Sequence, residues 1–302
     1  MYCIFCHKDS SSSRSVEHII PESLGNKSMF LPHGYVCDEC NHYFAIKIEK
    51  EILSQPYFIS LRSRTEIYSK KNKLVKQSIR FPDVSLYSDV QIQTSSGLTI
   101  LLEDECIYNK IESGEIKTIE IPYIQEPEYP NKEMSRFLSK CAYEYFLYNM
   151  GRDKYDLCVQ ELLGKENDVL KLLREYARFG KGEYWQYSQR RVNSEGGIVY
   201  RNDNYCEVLY EMGFFIKEHN FISKDIIESE IYFVIIIAGI EYAICISDQN
   251  ISEYLKWIAK NENISPIRKG ENSDYFLFDL SNINPLLISH KGLKTNEYII
   301  RH

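Results

Sequence analysis

The sequence predicts an α+β protein in two parts, a small cysteine- and histidine-rich unit followed by a larger mixed domain. Three observations carry this reading. Four of the nine cysteines and four of the seven histidines fall before residue 45. A stretch from about 78 to 125 is rich in Ile, Val, Thr and Tyr, with turn signals at Ser95-Ser96-Gly97 and Ser113-Gly114. After it come well-punctuated helical patterns and an apolar run with a turn near its middle.

The elements follow in order. Residues 1–60 form the first unit, and the composition changes after Gln55-Pro56. Residues 61–80 read as a basic linker, and 81–302 as a second, α+β domain serving regulation, target recognition or oligomerisation. Within that domain Asn131 is an N-cap, Glu133 favours the first turn of a helix and Gly151 stops it. Met134, Phe137, Leu138, Cys141, Tyr145 and Tyr148 recur at three- and four-residue spacing, one core face. A second helix is expected over about 154–178, then mixed strands and short helices to about 290. Ile231 to Ile246 reads as two buried strands turning near Ala238-Gly239, because Glu241 and the short length argue against a membrane span. The tyrosines and phenylalanines of this part are expected in the core.

Charge is distributed unevenly. Residues 1–64 hold seven basic and seven acidic side chains, 65–80 hold five and one, and 81–302 hold 24 and 35. A net charge of −7 excludes a protein coated in basic surface. The local excess, from Arg62 and Arg64 through Lys70, Lys71 and Lys73 to Arg80, is suited to phosphates or to a solvated loop. The odd number of cysteines and a start, Met-Tyr-Cys-Ile-Phe-Cys, that does not read as a secretion signal predict a reducing compartment, hence the cytoplasm. Cys106, Cys141, Cys158, Cys206 and Cys245 lie among apolar neighbours, and most of them read as small buried hydrophobes.

The other four cysteines form two Cys-x-x-Cys pairs, Cys3/Cys6 and Cys37/Cys40, with thirty residues between them. Each pair offers two thiolates from one tight turn, and two such turns complete a tetrahedron around zinc. With all four positions filled such a site is structural, a staple for a unit too small to hold itself by a core. His7, His33 and His42 are near enough in sequence to substitute, but four cysteines suffice.

Between the pairs runs Val16-Glu17-His18-Ile19-Ile20-Pro21-Glu22-Ser23-Leu24-Gly25. Asn41 follows the second pair directly and opens a stretch in which Phe44, Ile48 and Ile52 form one apolar stripe, with Glu49 beside it. The combination resembles the zinc-stapled branch of the HNH (ββα-metal) endonucleases over about residues 3–53, a sixth of the chain. A lone Glu-His would mean little; the spacing and residue types together are specific.

The resemblance implies a β-hairpin and a helix wrapped around one catalytic divalent ion. It makes His18 the general base, since a neutral imidazole can take a proton from an attacking water. It makes Glu17 an acidic metal ligand, Asn41 the central residue whose amide braces the His18 strand against the helix, and Glu49 the third, metal-contacting position. Glu49 departs from the His or Asn of the founding pattern, and an oxygen ligand there suits Mg²⁺ or Mn²⁺. Ala45 stands where family members often carry glycine. Lys47 and Lys50 lie on the same helix, within reach of a phosphate or of solvent.

The expected activity is hydrolysis of nucleic-acid phosphodiester bonds, with DNA the expected substrate, nucleic acid the partner and no membrane. One ββα site cuts one strand, so double-strand cleavage requires a homodimer or two successive nicks. About 220 residues without a catalytic motif exceed what docking on DNA needs. By analogy they suggest an effector of restriction or antiphage defence, licensed by an activating partner or ligand. The competing reading is a non-catalytic zinc module that binds nucleic acid or protein. The joint presence of Glu17, His18, Asn41 and Glu49 speaks against it.

Overall fold

The computed structural model describes residues 1–27, 29–69, 73–93, 99–122, 124, 126–151, 168–192, 197–201, 204–208, 210–218, 229–267, 286–289 and 298–301. The expected turn at Ser95-Ser96-Gly97 and most of the expected helix before residue 168 lie outside them. The architecture is α+β, and among the described residues no helix is long and apolar enough to cross a membrane. Contacts divide the chain into two compact units that do not follow the linear order. The first joins residues 1–20, 27–48 and 130–302, and the second joins 21–26 and 49–129.

In the first unit, helix α1 (Asp38–Phe44) begins at the second cysteine pair. It continues through a π-helical turn, Ala45–Glu49, into α2 (Lys50–Leu53), which the unit division assigns to the second unit. The long helix α5 (Lys132–Gly151) starts where expected: the Asn131 side chain accepts the amide of Met134 at 2.8 Å. Helix α6 (Asp168–Phe179) packs beside it.

The sheet of this unit is antiparallel. Its strands are β4 (Tyr187–Arg191), β7 (Tyr210–Glu218), β8 (Ser229–Ile237), β9 (Ile240–Cys245), β10 (Leu286–Ser289) and β11 (Tyr298–Arg301), in the order β10-β11-β7-β8-β9-β4. A separate ribbon pairs β5 (Gly197–Arg201) with β6 (Asn204–Val208). The apolar run is the β8–β9 hairpin, closed by Ala238 and Gly239 at φ 47° and 79°. Two positive φ values in a two-residue loop are what a tight hairpin needs to match strand twist.

Both faces of this sheet are covered, which is why β8 and β9 read as continuous apolar runs rather than alternating ones. On one face Phe215, Tyr232, Val234, Ala243 and Cys245 pack with Tyr254 and Ile258 of helix α7 (Ser252–Lys260). On the other, Phe214 and Phe233 lie 5.0 and 5.5 Å from the Tyr145 ring of α5. The expected core face of α5 is buried through Tyr145, with Tyr148 half-exposed. The helix is buried on its other side as well: Ser135, Ser139, Lys140 and Glu144 are each 0% exposed.

The second unit holds α3 (Pro56–Arg64) and a three-stranded sheet of β1 (Gln77–Phe81), β2 (Leu86–Gln93) and β3 (Thr99–Leu101). A helix, α4 (Glu105–Glu112), interrupts the stretch expected to be β-rich. Asp104 caps it by accepting the amides of Cys106 and Ile107, a local signal that outweighs the strand-forming Ile and Tyr residues. Ile107 enters the unit's core with Ile79, Phe81, Val90 and Ile92. Cys106 is exposed, contrary to expectation, whereas Cys141 and Cys245 are buried. Cys158 and the Cys206 side chain lie outside the described residues.

Candidate active site and metal centre

The four paired cysteines converge. Their Sγ atoms lie within 4.8 Å of one another, and Cys6 Sγ is 3.6 Å from Cys37 Sγ. A zinc tetrahedron with arms of about 2.3 Å has edges of roughly 3.8 Å, so the donor set fits that ion. Two tight turns build the cluster. The amide of His7, at φ 57°, returns to the Cys3 carbonyl at 2.9 Å. Cys37 is the N-cap of α1, and its sulfur accepts the Cys40 amide at 3.4 Å. The Cys37 amide donates in turn to Cys3 Sγ at 3.4 Å.

The hydrogen bond with Cys40 is the main cause holding the Cys3 thiol down at about 4. Burial pushes Cys37 up to about 11, and the hydrogen bond with Cys3, aided by burial, pushes Cys40 far up. A bound dication would favour the thiolate at all four positions. His7, His33 and His42 are exposed.

The segment carrying His18 is held from two sides. It forms no regular strand but an isolated β-bridge to residues 29–31: the Ile19 amide donates to the Met29 carbonyl at 3.2 Å, and the Leu31 amide to the Glu17 carbonyl at 2.8 Å. His18 faces Phe30 across this bridge, with ring centroids 6.0 Å apart. Helix α1 supplies the second side. Asp38, in its first turn, accepts from the amides of Arg14 and Ser15 at 3.0 and 2.8 Å. One turn later Asn41 Nδ2 donates to the Val16 carbonyl at 3.1 Å. A β-bridge and a helix thus hold the segment that carries a half-exposed histidine. Residues 3–56 match the family model described as HNH endonuclease.

This segment is an HNH endonuclease domain. No curated protein and no solved structure matches the chain. The HNH family is one of metal-dependent nucleases, and its activity implies a nucleic-acid substrate.

Glu17 of the HNH motif has surroundings that the sequence did not announce. It is 4% exposed, and its Oε1 lies 2.7 Å from the ammonium of Lys140 on α5. An ion held by Glu17 would therefore use its other oxygen or displace Lys140. Carboxylate oxygens are donors suited to a hard divalent ion, so the residue types fit, although Glu17 Oε1 also meets Lys140. Glu49 closes the π-helical turn and is half-buried.

The basic residues have diverse settings. Lys47, Lys50 and Lys73 are exposed. Arg62 is half-buried, and desolvation lowers its pKa. Arg64 is turned onto its own helix, where Nη1 donates to Ser60 Oγ at 2.9 Å. Lys70 and Lys71 lie outside the described residues.

Sequence reasoning missed the residues that support the HNH motif from afar. Arg178 on α6 donates from Nε to Cys40 Sγ at 3.2 Å and lies 3.8 Å over the Tyr43 ring. Arg136 donates to the Tyr43 hydroxyl at 2.8 Å, and Arg174 to the Phe5 carbonyl at 2.8 Å. No pattern in the chain links these arginines to residues more than ninety positions away. Asp38 could have been found, as an acidic residue in a helix's first turn.

Proposed function

We propose that the protein is an endonuclease that hydrolyses phosphodiester bonds of DNA, with His18 as general base. What supports this most is the half-exposed His18 on a segment stitched to α1 through Asn41 and Asp38, inside a matched HNH domain. His18 takes a proton from water as the water oxygen attacks phosphorus in line with the P–O3′ bond. That bond breaks, and the 3′ oxygen leaves and gains a proton from solvent. The products carry 5′-phosphate and 3′-hydroxyl ends.

Asn41 keeps the His18 segment in place through its hydrogen bond to Val16. Glu17 and Glu49 are the residues that would hold Mg²⁺ or Mn²⁺. That ion, when bound, supplies positive charge for the leaving oxygen. The exposed Lys47, Lys50 and Lys73 would meet the phosphate backbone. Zinc at the four cysteines serves structure alone. The size of the remaining chain supports an effector of defence or restriction that answers to a partner or ligand.

The test is a plasmid-cleavage assay with Mg²⁺ or Mn²⁺, run beside His18→Ala and repeated on single-stranded DNA and RNA. Metal-dependent cutting should fall by about 10²- to 10⁴-fold in the variant, the usual contribution of a general base. Equal cutting by both proteins, or 3′-phosphate ends, would remove the assignment. One zinc per chain with no cutting of any substrate would favour a binding module.

A further inference from the structure

Lys140 sits on α5, more than 120 residues beyond His18, and is 0% exposed. An ammonium has three hydrogens to donate and no solvent here to receive them. Protein oxygens of the described residues meet it, among them Glu17 Oε1 at 2.7 Å, the His18 carbonyl at 2.9 Å and Glu144 Oε2 at 3.1 Å. Glu144 is also 0% exposed and stands one helical turn along the same helix. The next residue repeats the attachment, since Cys141 Sγ donates to the Ile19 carbonyl at 3.1 Å. The Phe44 ring of α1 lies 5.6 Å from the ammonium.

A lysine that only closed a core would be replaceable by an apolar side chain of like length, and burying its charge would be a poor way to gain stability. Here the ammonium touches the side chain of one motif residue and the backbone of the next. It fixes where the Glu17 carboxylate lies and, through the peptide at His18, the base from which the imidazole projects. We propose that Lys140 is a positioning residue of the nuclease site, setting Glu17 and His18 from a helix outside the matched domain. This rests on the reading of His18 as general base.

The structural consequence is that the HNH domain is completed by α5. The Glu17–Lys140–Glu144 chain ties the motif to the same helix whose opposite side packs on the sheet through Tyr145. Anything that shifts α5 would shift the His18 segment with it.

The experiment compares wild type with Lys140→Met, which keeps length and removes charge. The folded variant should hold one zinc per chain, keep KM within about twofold and lose kcat by about tenfold or more, as is usual when a residue behind a catalytic group is removed. In spectra of protein labelled at the histidine rings, the His18 signals should move while those of exposed His33 and His42 stay. A folded variant with unchanged kcat and an unmoved His18 signal would overturn the proposal.

Should Lys140→Met fail to fold, wild type alone decides. Its Lys140 ammonium should give a ¹⁵N signal protected from exchange with water, lost in the milder Glu144→Gln variant or shifted there. An ammonium exchanging like that of an exposed lysine would refute the triple attachment. A protein that cuts no nucleic acid sinks the nuclease reading, while the ammonium and His18 signals still judge this one.

Discussion

Arg178 shows at the scale of one residue how the metal centre depends on distant chain. Its guanidinium is 6% exposed, donates to Cys40 Sγ and stacks on Tyr43. A positive, planar donor beside a thiolate stabilises the ionised sulfur, and its flat face suits an aromatic ring. Lysine keeps the charge but has neither the fork nor the face. Arg178→Lys should therefore weaken zinc retention by about tenfold, as loss of an outer partner commonly does. Release to a coloured chelator at neutral pH measures it, and an unchanged rate would mean that Arg178 only packs. The four-cysteine cluster was legible because a Cys-x-x-Cys turn is a local device with its chemistry written in four adjacent residues. Arg178 and Lys140 were not, because each acts on a partner brought near only by the fold. Cys106 errs in the other direction: its apolar neighbours suggested burial, yet it stands on the exposed side of α4.

At the scale of elements, the sequence was most readable where one residue type is nearly obligatory. Asn131 marked the start of α5, and Ala238-Gly239 marked the turn of the β8–β9 hairpin. Gly239 is buried at φ 79°, where a side chain is disfavoured, and its carbonyl accepts the Val192 amide beyond β4 at 2.9 Å. Gly239→Ala should cost about 1–2 kcal/mol from backbone strain alone. A lowered midpoint in chemical denaturation with an unchanged slope would show it. An unmoved midpoint would mean that the turn relaxes freely. The π-helical turn at Ala45–Glu49 was not readable. Apolar residues at i, i+4 and i+8, such as Phe44, Ile48 and Ile52, drift by about 40° per step on an ordinary helix. A wider turn absorbs part of that drift, but the same spacing also suits a plain helix. In α5 the periodicity gave one buried face correctly but carried no sign that Lys140 and Glu144 are buried as well.

For the whole molecule, the central matter is whether the nuclease motif is a detachable head. Its clear boundary in sequence suggests so, since the cysteines, the Glu-His pair and the change of composition all fall before residue 60. The contacts argue otherwise: residues 1–20 and 27–48 share a compact unit with 130–302. Phe5 is 0% exposed, in contact with Tyr143 of α5, their ring centroids 5.4 Å apart. The carbonyls of Ile4, Phe5, His18 and Ile19 receive donors from Tyr143, Arg174, Lys140 and Cys141. A fragment ending at residue 80 would expose the Phe5 ring, lose those donors and leave Glu17 without its lysine. Zinc alone would have to order it. Such a fragment should bind zinc through its four cysteines yet show poorly dispersed amide signals, no cooperative thermal transition and nuclease activity reduced by about a hundredfold or more. That last figure combines misplacement of the base with loss of its outer support. A fragment that folds cooperatively and cuts like the full chain would show that α5 and α6 are dispensable. The large remainder would then be an appendage that could be joined or removed without touching the chemistry. If the fragment fails as expected, regulation need not act through a separate switch: a ligand that moves α5 by a fraction of an ångström would already reach His18.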